Sequence, residues 1–197
     1  MPSADTTIAT DRARLIEIVR QRSYGTGVEI KLASGRISDF YFNMKPTMMH
    51  PEGAHLIGRL VTLALSSDRL DAVGGLEMGA VPIAAAVAAI SHGMGTPLPA
   101  FFVRKQAKGH GTAALIEGLP KGATLAGLRV AILEDVTTTG GSALKAIDVV
   151  RAAGATVTRV LTLVDRCEGA AETFAAARVP FTSLLTIDDF RPTPTPR

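Results

Sequence analysis

Segments with helical periodicity alternate with short aliphatic runs along most of this chain. Apolar side chains at helical spacing, together with one almost wholly apolar stretch, predict helices over residues 11–22, 51–66, 81–92 and 142–153. Asp11 stands at the predicted N-cap of the first helix. The aliphatic runs predict strands over residues 71–76, 99–103, 129–134 and 157–164, and a hairpin over residues 27–42.

The order of these elements favours an α/β protein. Strand, helix and strand follow one another within residues 129–164, which is a βαβ unit, and such units cross over with a right hand in nearly all cases. Aliphatic residues dominate and aromatic residues make up only 5% of the chain, a balance typical of buried parallel strands. We therefore expect a mostly parallel central sheet flanked by helices.

Composition narrows the class of protein further. The 197 residues, of which 47% are hydrophobic and 20% charged, are expected to form one globular domain. The single cysteine, Cys167, excludes an internal disulfide and a cysteine-cluster metal site. The polar N-terminal segment and the lack of a run of about 18 apolar residues predict a cytoplasmic protein without a membrane span. A net charge of +3 is too small to predict nucleic-acid binding.

The segment VAILEDVTTTGGS, residues 130–142, combines acids with a candidate phosphate site. The strand runs into Glu134 and Asp135, and a helix follows the loop. The loop offers hydroxyl groups, close backbone approach and the amides of a helix N-terminus to a phosphate. Its candidate ligand-binding residues are Thr137, Thr138, Thr139, Gly140, Gly141 and Ser142.

Two acids beside a phosphate site repel the phosphate unless they bind something else, such as sugar hydroxyls or a divalent cation. A ribose 5-phosphate meets both conditions. The segment matches neither standard nucleotide-binding motif, but it resembles the phosphoribosyl-diphosphate (PRPP) signature of the type I phosphoribosyltransferases. The alternative interpretation is an ordinary strand–turn–helix junction with a solvated acid pair.

A basic loop follows the strand at residues 99–103. The sequence RKQAKGHG carries Arg104, Lys105, Lys108 and His110 with no acid before Glu117, and its glycines predict a mobile lid over residues 104–117. Taken alone, such a loop is more often a solvated surface loop. Beside the PRPP signature, it resembles the catalytic loop of the orotate phosphoribosyltransferases, which closes over the neighbouring subunit of a homodimer.

Three further segments resemble the same family. LASGR with FYFN (residues 32–36 and 40–43) resembles its hairpin over the base, GLEMGAVP (residues 75–82) its diphosphate loop, and VDRCE (residues 164–168) the strand end whose arginine meets orotate. Two positions depart from some members of the family, which have a lysine where Ala33 and Gly79 stand here.

The resemblance implies a type I phosphoribosyltransferase fold over residues 1–197. A helix and hood over the base would span residues 8–45, an α/β core residues 50–190 and a frayed tail residues 191–197. It further implies pentosyl transfer from PRPP to orotate in pyrimidine (UMP) biosynthesis, with Mg²⁺ held mainly by substrate and water rather than by protein ligands.

Site roles follow from the resemblance residue by residue. Lys105, Lys108 and Asp135 would be catalytic, and Arg104, His110, Glu134 and the loop of residues 137–142 would also bind PRPP. Arg166 would pair with the orotate carboxylate, for which a structural salt bridge is the alternative, and Thr138 would also contact orotate. Tyr41 and Phe42 are candidates for covering the ring, of which strand alternation turns only one inward; plain core packing is the alternative for both.

Two other functions remain open. Another type I enzyme would act on a purine or xanthine, although purine enzymes generally lack this form of the basic loop. A regulator would keep the fold without the activity, but it would be expected to lose the lysines or to gain a DNA-binding module.

Overall fold

The computed structural model describes residues 4–31, 37–106 and 115–191. In chain order its elements are α1 (Ala4–Arg22), β1 (Tyr24–Lys31), β2 (Ile37–Phe42), α2 (Lys45–Met48), α3 (Pro51–Ala64), β3 (Ala72–Gly74), α4 (Ala80–Gly93), β4 (Phe102–Val103), β5 (Ile116–Glu117), β6 (Arg129–Thr137), α5 (Gly141–Ala152), β7 (Thr156–Asp165), α6 (Ala170–Ala176), β8 (Phe181–Thr186) and a 3₁₀ turn (Ile187–Asp189).

A parallel sheet in the order β3-β6-β7-β8 forms the centre of the molecule. Its strands are aliphatic because helices cover both faces, so that successive side chains of β6 from Val130 to Leu133 are all buried. One apolar cluster joins one face of the sheet to α1, α3 and α4, and a second joins the other face to α5 and α6. The predicted α/β fold, with a mostly parallel sheet flanked by helices, is confirmed.

The strand order reverses between β3 and β6. After β3 the chain passes through α4 and returns beside β3, where Ala100 and Val103 form parallel bridges to Val73 and Leu76. After β6 it passes through α5 and continues on the opposite side as β7. In open parallel sheets, ligands bind outside the carboxyl ends of the strands at such a reversal. The crevice between the ends of β3 and β6 is therefore the expected place for a site.

The antiparallel β1–β2 hairpin packs against the end of the sheet. Phe42 and Tyr24 contact the ring of Phe190, with centroid distances of 5.0 and 5.3 Å. Helix α1 also contacts the segment after β8. Arg12 Nη2 lies 2.7 Å from Asp189 Oδ2, and Arg20 donates to the carbonyl oxygen of Phe190. These contacts place the hairpin beside the carboxyl ends of β7 and β8. The division into hood, core and tail stays a prediction.

Several boundaries differ from the sequence-based ones. Helix α1 begins at Ala4, so Asp11 lies inside it and accepts a hydrogen bond from Arg59 at 2.9 Å, and the predicted N-cap is wrong. Strand β6 continues to Thr137, so the two acids lie within the strand. In the described part of the chain, no helix is both long and apolar enough to cross a membrane.

Candidate active site

The two acids of β6 have unequal surroundings. Glu134 is 7% exposed, and among the described residues its Oε2 has no hydrogen-bond partner, whereas Asp135 is half-buried. Burial, together with the negative charge of Asp135, raises the pKa of Glu134 from 4.5 to about 8. The charge of Lys105 favours ionisation of Glu134. The pair therefore combines a buried carboxyl group that resists ionisation with a more accessible carboxyl group.

The loop after β6 has the geometry of an anion cradle. Gly140 has a φ of +86°, and a β-carbon there would lie 2.9 Å from the ring of Phe174, so both conformation and space favour glycine. Gly141 faces open space and begins α5, whose first amides point out of the helix end. Thr139 and Ser142 are exposed on this loop, and Thr138 is half-buried.

Thr137 lies apart from the exposed part of this cradle. It is 2% exposed at the end of β6, and within the described residues its hydroxyl oxygen has no hydrogen-bond partner. Among the described residues it is therefore an unpartnered polar group directly before the loop, at the end of the strand that also carries Glu134.

The loop between β3 and α4 faces the acids across the crevice. A β-carbon on Gly79 would collide with the carboxylate of Asp135, and one on Gly75 would collide with the carbonyl oxygen of Leu133. Glycine at both positions therefore lets this loop contact β6 directly. At Gly79, where some members of the resembled family have a lysine, the backbone itself occupies the space next to Asp135.

The basic loop starts beside the same crevice. The amide of Lys105 donates to Glu77 Oε1 at 2.9 Å, and Arg104 Nη1 lies 3.0 Å from Glu117 Oε1. Arg104 therefore forms an ion pair with Glu117, which lies at the other end of the basic loop. Lys108 and His110 lie outside the described residues, as does Ala33.

Arg166 lies in the wall of a cavity of about 390 Å³ beside the carboxyl end of β7. Its side chain is 3% exposed. Its Nη2 donates to Ser38 Oγ at 3.0 Å, its Nε donates to Glu168 Oε1 at 2.9 Å, and its guanidinium carbon lies 4.2 Å from the centroid of the Phe40 ring. A buried guanidinium at the wall of a cavity is suited to binding a carboxylate.

The structure does not bring the two predicted aromatic residues to Arg166. Phe42 packs into the apolar cluster with Tyr24 and Phe190, whereas Tyr41 is 39% exposed and its ring lies over Gly25 on the opposite face of the hairpin. The ring beside Arg166 is Phe40. Strand alternation puts Phe40 on the same face as Ser38 and Phe42, but only the fold shows that Phe40 is the ring that meets Arg166.

Sequence reasoning missed four residues of this region: Ser38, Phe40, Glu168 and Glu77. Three of them contact Arg166, and Glu77 holds the start of the basic loop. Glu168 lies within the VDRCE segment, two residues after Arg166, but only the fold shows that its carboxylate turns back to the guanidinium.

The acid pair also fits a magnesium ion carried by a substrate. Mg²⁺ prefers oxygen ligands, keeps several waters, and commonly takes one or two carboxylates together with phosphate oxygens. The half-buried Asp135 offers such an oxygen beside the cradle, and Glu134 Oε2, without a described partner, would offer a second once Glu134 is ionised. Among the described residues, no group of three or more acidic, histidine or cysteine side chains forms a complete protein cage.

Comparisons with known proteins agree with this geometry. The model of the phosphoribosyl transferase domain family matches residues 50–189. An orotate phosphoribosyltransferase of Bradyrhizobium diazoefficiens is 60% identical over 182 residues, which cover 92% of this chain and 97% of that protein.

Solved structures of high similarity come from Mycobacterium tuberculosis. Its orotate phosphoribosyltransferase in complex with Fe(III) dicitrate superposes with a TM-score of 0.78 and is 41% identical, covering 91% of this chain and 98% of that one. A structure of that enzyme in complex with PRPP has a TM-score of 0.74 and 39% identity, with the same coverage.

Proposed function

The chain belongs to the orotate phosphoribosyltransferase family. From this premise we propose that the protein transfers ribose 5-phosphate from PRPP to orotate, and that the reaction takes place at the crevice between β3 and β6. The reaction yields orotidine 5′-monophosphate and diphosphate for pyrimidine biosynthesis, and it is a pentosyl transfer of class EC 2.4.2.10. One observation carries the assignment of the site: an acid pair lies on β6 and a glycine-rich anion cradle follows it, while a buried arginine faces a cavity at the end of the neighbouring strand.

The cradle binds the 5-phosphate of PRPP in this proposal. The amides at the start of α5 and the hydroxyls of Thr138, Thr139 and Ser142 donate to phosphate oxygens, with Gly140 and Gly141 permitting close backbone approach. Asp135 and Glu134 accept from the ribose hydroxyls, so the acids orient the sugar without opposing the phosphate. Thr137 contributes its buried hydroxyl at the junction.

Arg166 binds the carboxylate of orotate. Its planar fork suits a carboxylate, and Phe40 supports its face. Thr138, at the start of the cradle, is proposed to contact the base as well as PRPP. Tyr41 and Phe42 are not needed for this pairing, because Phe40 is the ring beside the arginine.

Catalysis is mostly positioning and electrostatic stabilisation. The bond between ribose C1 and the diphosphate oxygen breaks, the bond from C1 to N1 of orotate forms, and the sugar passes through an oxocarbenium-like state. N1 loses its proton to the departing diphosphate or to water. In this proposal Asp135 orients and stabilises the ribose. Charge on the departing diphosphate is neutralised by the basic loop, through Arg104, Lys105, Lys108 and His110. Magnesium, when bound to PRPP, supplies further neutralisation of the diphosphate.

Two finer proposals accompany the reaction. The protein acts as a homodimer in which the basic loop of one subunit completes the site of the other. The reaction takes place in the cytoplasm. Both follow from the sequence resemblance and composition.

The direct test measures orotate consumption by its ultraviolet absorbance in the presence of PRPP and Mg²⁺. We expect orotate to be consumed, and uracil, hypoxanthine and xanthine to be poor substrates. Arg166→Ala serves as the site control and should retain little orotate turnover. Turnover of a purine without loss of orotate would contradict the proposal and favour a purine-specific type I enzyme.

A further inference from the structure

Glu168 is the counter-ion of Arg166, the arginine in the wall of the cavity beside the carboxyl end of β7. Its Oε1 accepts from Arg166 Nε at 2.9 Å and lies 2.8 Å from Nη2. The Arg166 side chain is 3% exposed and that of Glu168 is 21% exposed. The Arg166 guanidinium is therefore almost fully removed from water, and the carboxylate of Glu168, two residues later in the same loop, pairs with it.

This pairing stabilises the empty cavity. A buried guanidinium without an opposite charge is strongly unfavourable, because it has lost its hydration without replacement. Other charged groups line the cavity: Asp39 is exposed, and Asp188 pairs with Arg191 at 3.0 Å across exposed side chains. Water screens these groups more strongly than Glu168, so Glu168 supplies the main compensation for Arg166.

A substrate carboxylate entering this cavity meets both charges. Glu168 lies along the edge of the guanidinium formed by Nε and Nη2, Ser38 accepts from Nη2, and no described side chain hydrogen-bonds to Nη1. The incoming carboxylate therefore shares one cation with a second carboxylate a short distance away. Their mutual repulsion opposes binding, while the attraction to Arg166 favours it.

We propose that Glu168 sets the affinity and selectivity of the base site for carboxylated ligands, by neutralising Arg166 in the empty cavity and opposing the carboxylate of the bound ligand. The inference rests on the proposed function, in which Arg166 binds the orotate carboxylate. The product keeps that carboxylate, so the same repulsion weakens product binding. Glu168 is thus a specificity-determining residue that limits how tightly substrate and product are held.

The test uses Glu168→Gln in the full-length protein. Glutamine keeps the length and an acceptor oxygen for Arg166 but removes the charge. With PRPP and Mg²⁺ saturating, the KM for orotate should fall about tenfold, and kcat should not rise because product also binds more tightly. The inhibition constant of uracil, which has no carboxylate, should stay within about twofold of the wild-type value.

Glu172→Gln is the matched control. Glu172 is an exposed acid in α6, so its removal changes the net charge equally without contact with Arg166. Its KM for orotate should equal that of the wild type. An orotate KM that is unchanged or higher in Glu168→Gln would overturn the inference, and so would equal tightening of orotate and uracil.

A stability measurement covers the case in which Glu168→Gln is too unstable for kinetics. Without ligand, the variant should melt at a lower temperature than the wild type, because Arg166 has lost its counter-ion. Orotidine 5′-monophosphate should raise its melting temperature by more than that of the wild type. An equal or smaller rise would overturn the inference, whereas failure of the wild type to consume orotate would overturn the proposed function itself.

Discussion

The carboxylate of Asp135 lies against the backbone of Gly79, so closely that any side chain at position 79 would overlap it. This contact joins the loop after β3 to the end of β6, across the point where the strand order of the sheet reverses. The proposed ribose-binding acid and the proposed diphosphate loop therefore share one surface.

Gly79→Ala tests this contact. The new methyl group must displace either the loop or the Asp135 carboxylate, so we expect kcat/KM for PRPP to fall by at least about tenfold. Gly93→Ala is the control, because a β-carbon at the end of α4 meets no heavy atom within 4 Å. Steady-state kinetics with PRPP varied should separate the two variants, and equal activity would show that the contact does not matter for PRPP binding.

Removal of the Arg166 side chain should weaken orotate binding selectively. Arg166→Ala is expected to raise the KM for orotate by about 100-fold, the scale of a charge-assisted pair, while the KM for PRPP stays within about twofold. Arg191→Ala removes an exposed arginine from the same cavity, and screening by water should limit its effect to about threefold. An unaltered orotate KM in Arg166→Ala would refute the proposed pairing.

Glu134 should make the protein less stable as the pH rises. Its pKa is about 8 in the folded protein and about 4.5 when the chain is unfolded, so between these values the folded chain keeps a proton that the unfolded chain has released. The free energy of unfolding therefore falls as the pH rises from about 4.5 to about 8, and this contribution is fully lost above that.

Glu134→Gln removes this ionisation and isolates its contribution. Urea unfolding at pH 5 and pH 8.5 should show the variant gaining at least about 1 kcal/mol relative to the wild type at the higher pH. Glu172→Gln, which removes an exposed acid, should follow the wild-type pH dependence. Parallel curves for wild type and Glu134→Gln would mean that Glu134 ionises normally in the folded protein.

Sharing of the basic loop between subunits can be tested by complementation. Lys105→Ala should lower kcat more than orotate affinity, and Asp135→Asn should also inactivate its own site. After proven subunit exchange, half of the dimers are mixed and each has one site with both residues intact, so about a quarter of wild-type activity should return. Each variant mixed with itself is the control, and no recovery would place Lys105 and Asp135 of one site on one subunit.

Local signals predicted most of the core. The helices α3, α4 and α5 lie within two residues of their predicted bounds, because apolar spacing and flanking proline or glycine act over one or two turns. The acids and glycines of residues 134–141 were identifiable for the same reason, since cradle and strand are adjacent in the chain. Strand β8 (FTSLLT) and the short helix α6 were missed, because one mixes polar with apolar residues and the other has only seven residues.

The sequence by itself determined the fold class, the acid pair and the anion cradle, since each depends on residues that are close along the chain. Only the tertiary structure decided that Phe40 rather than Tyr41 or Phe42 lies beside Arg166, because alternation says which side chains share a face but not what that face meets. The burial that raises the pKa of Glu134 and the contact of Gly79 with Asp135 also depend on packing between segments far apart in the chain. Such contacts arise only when the sheet and its connecting loops assemble.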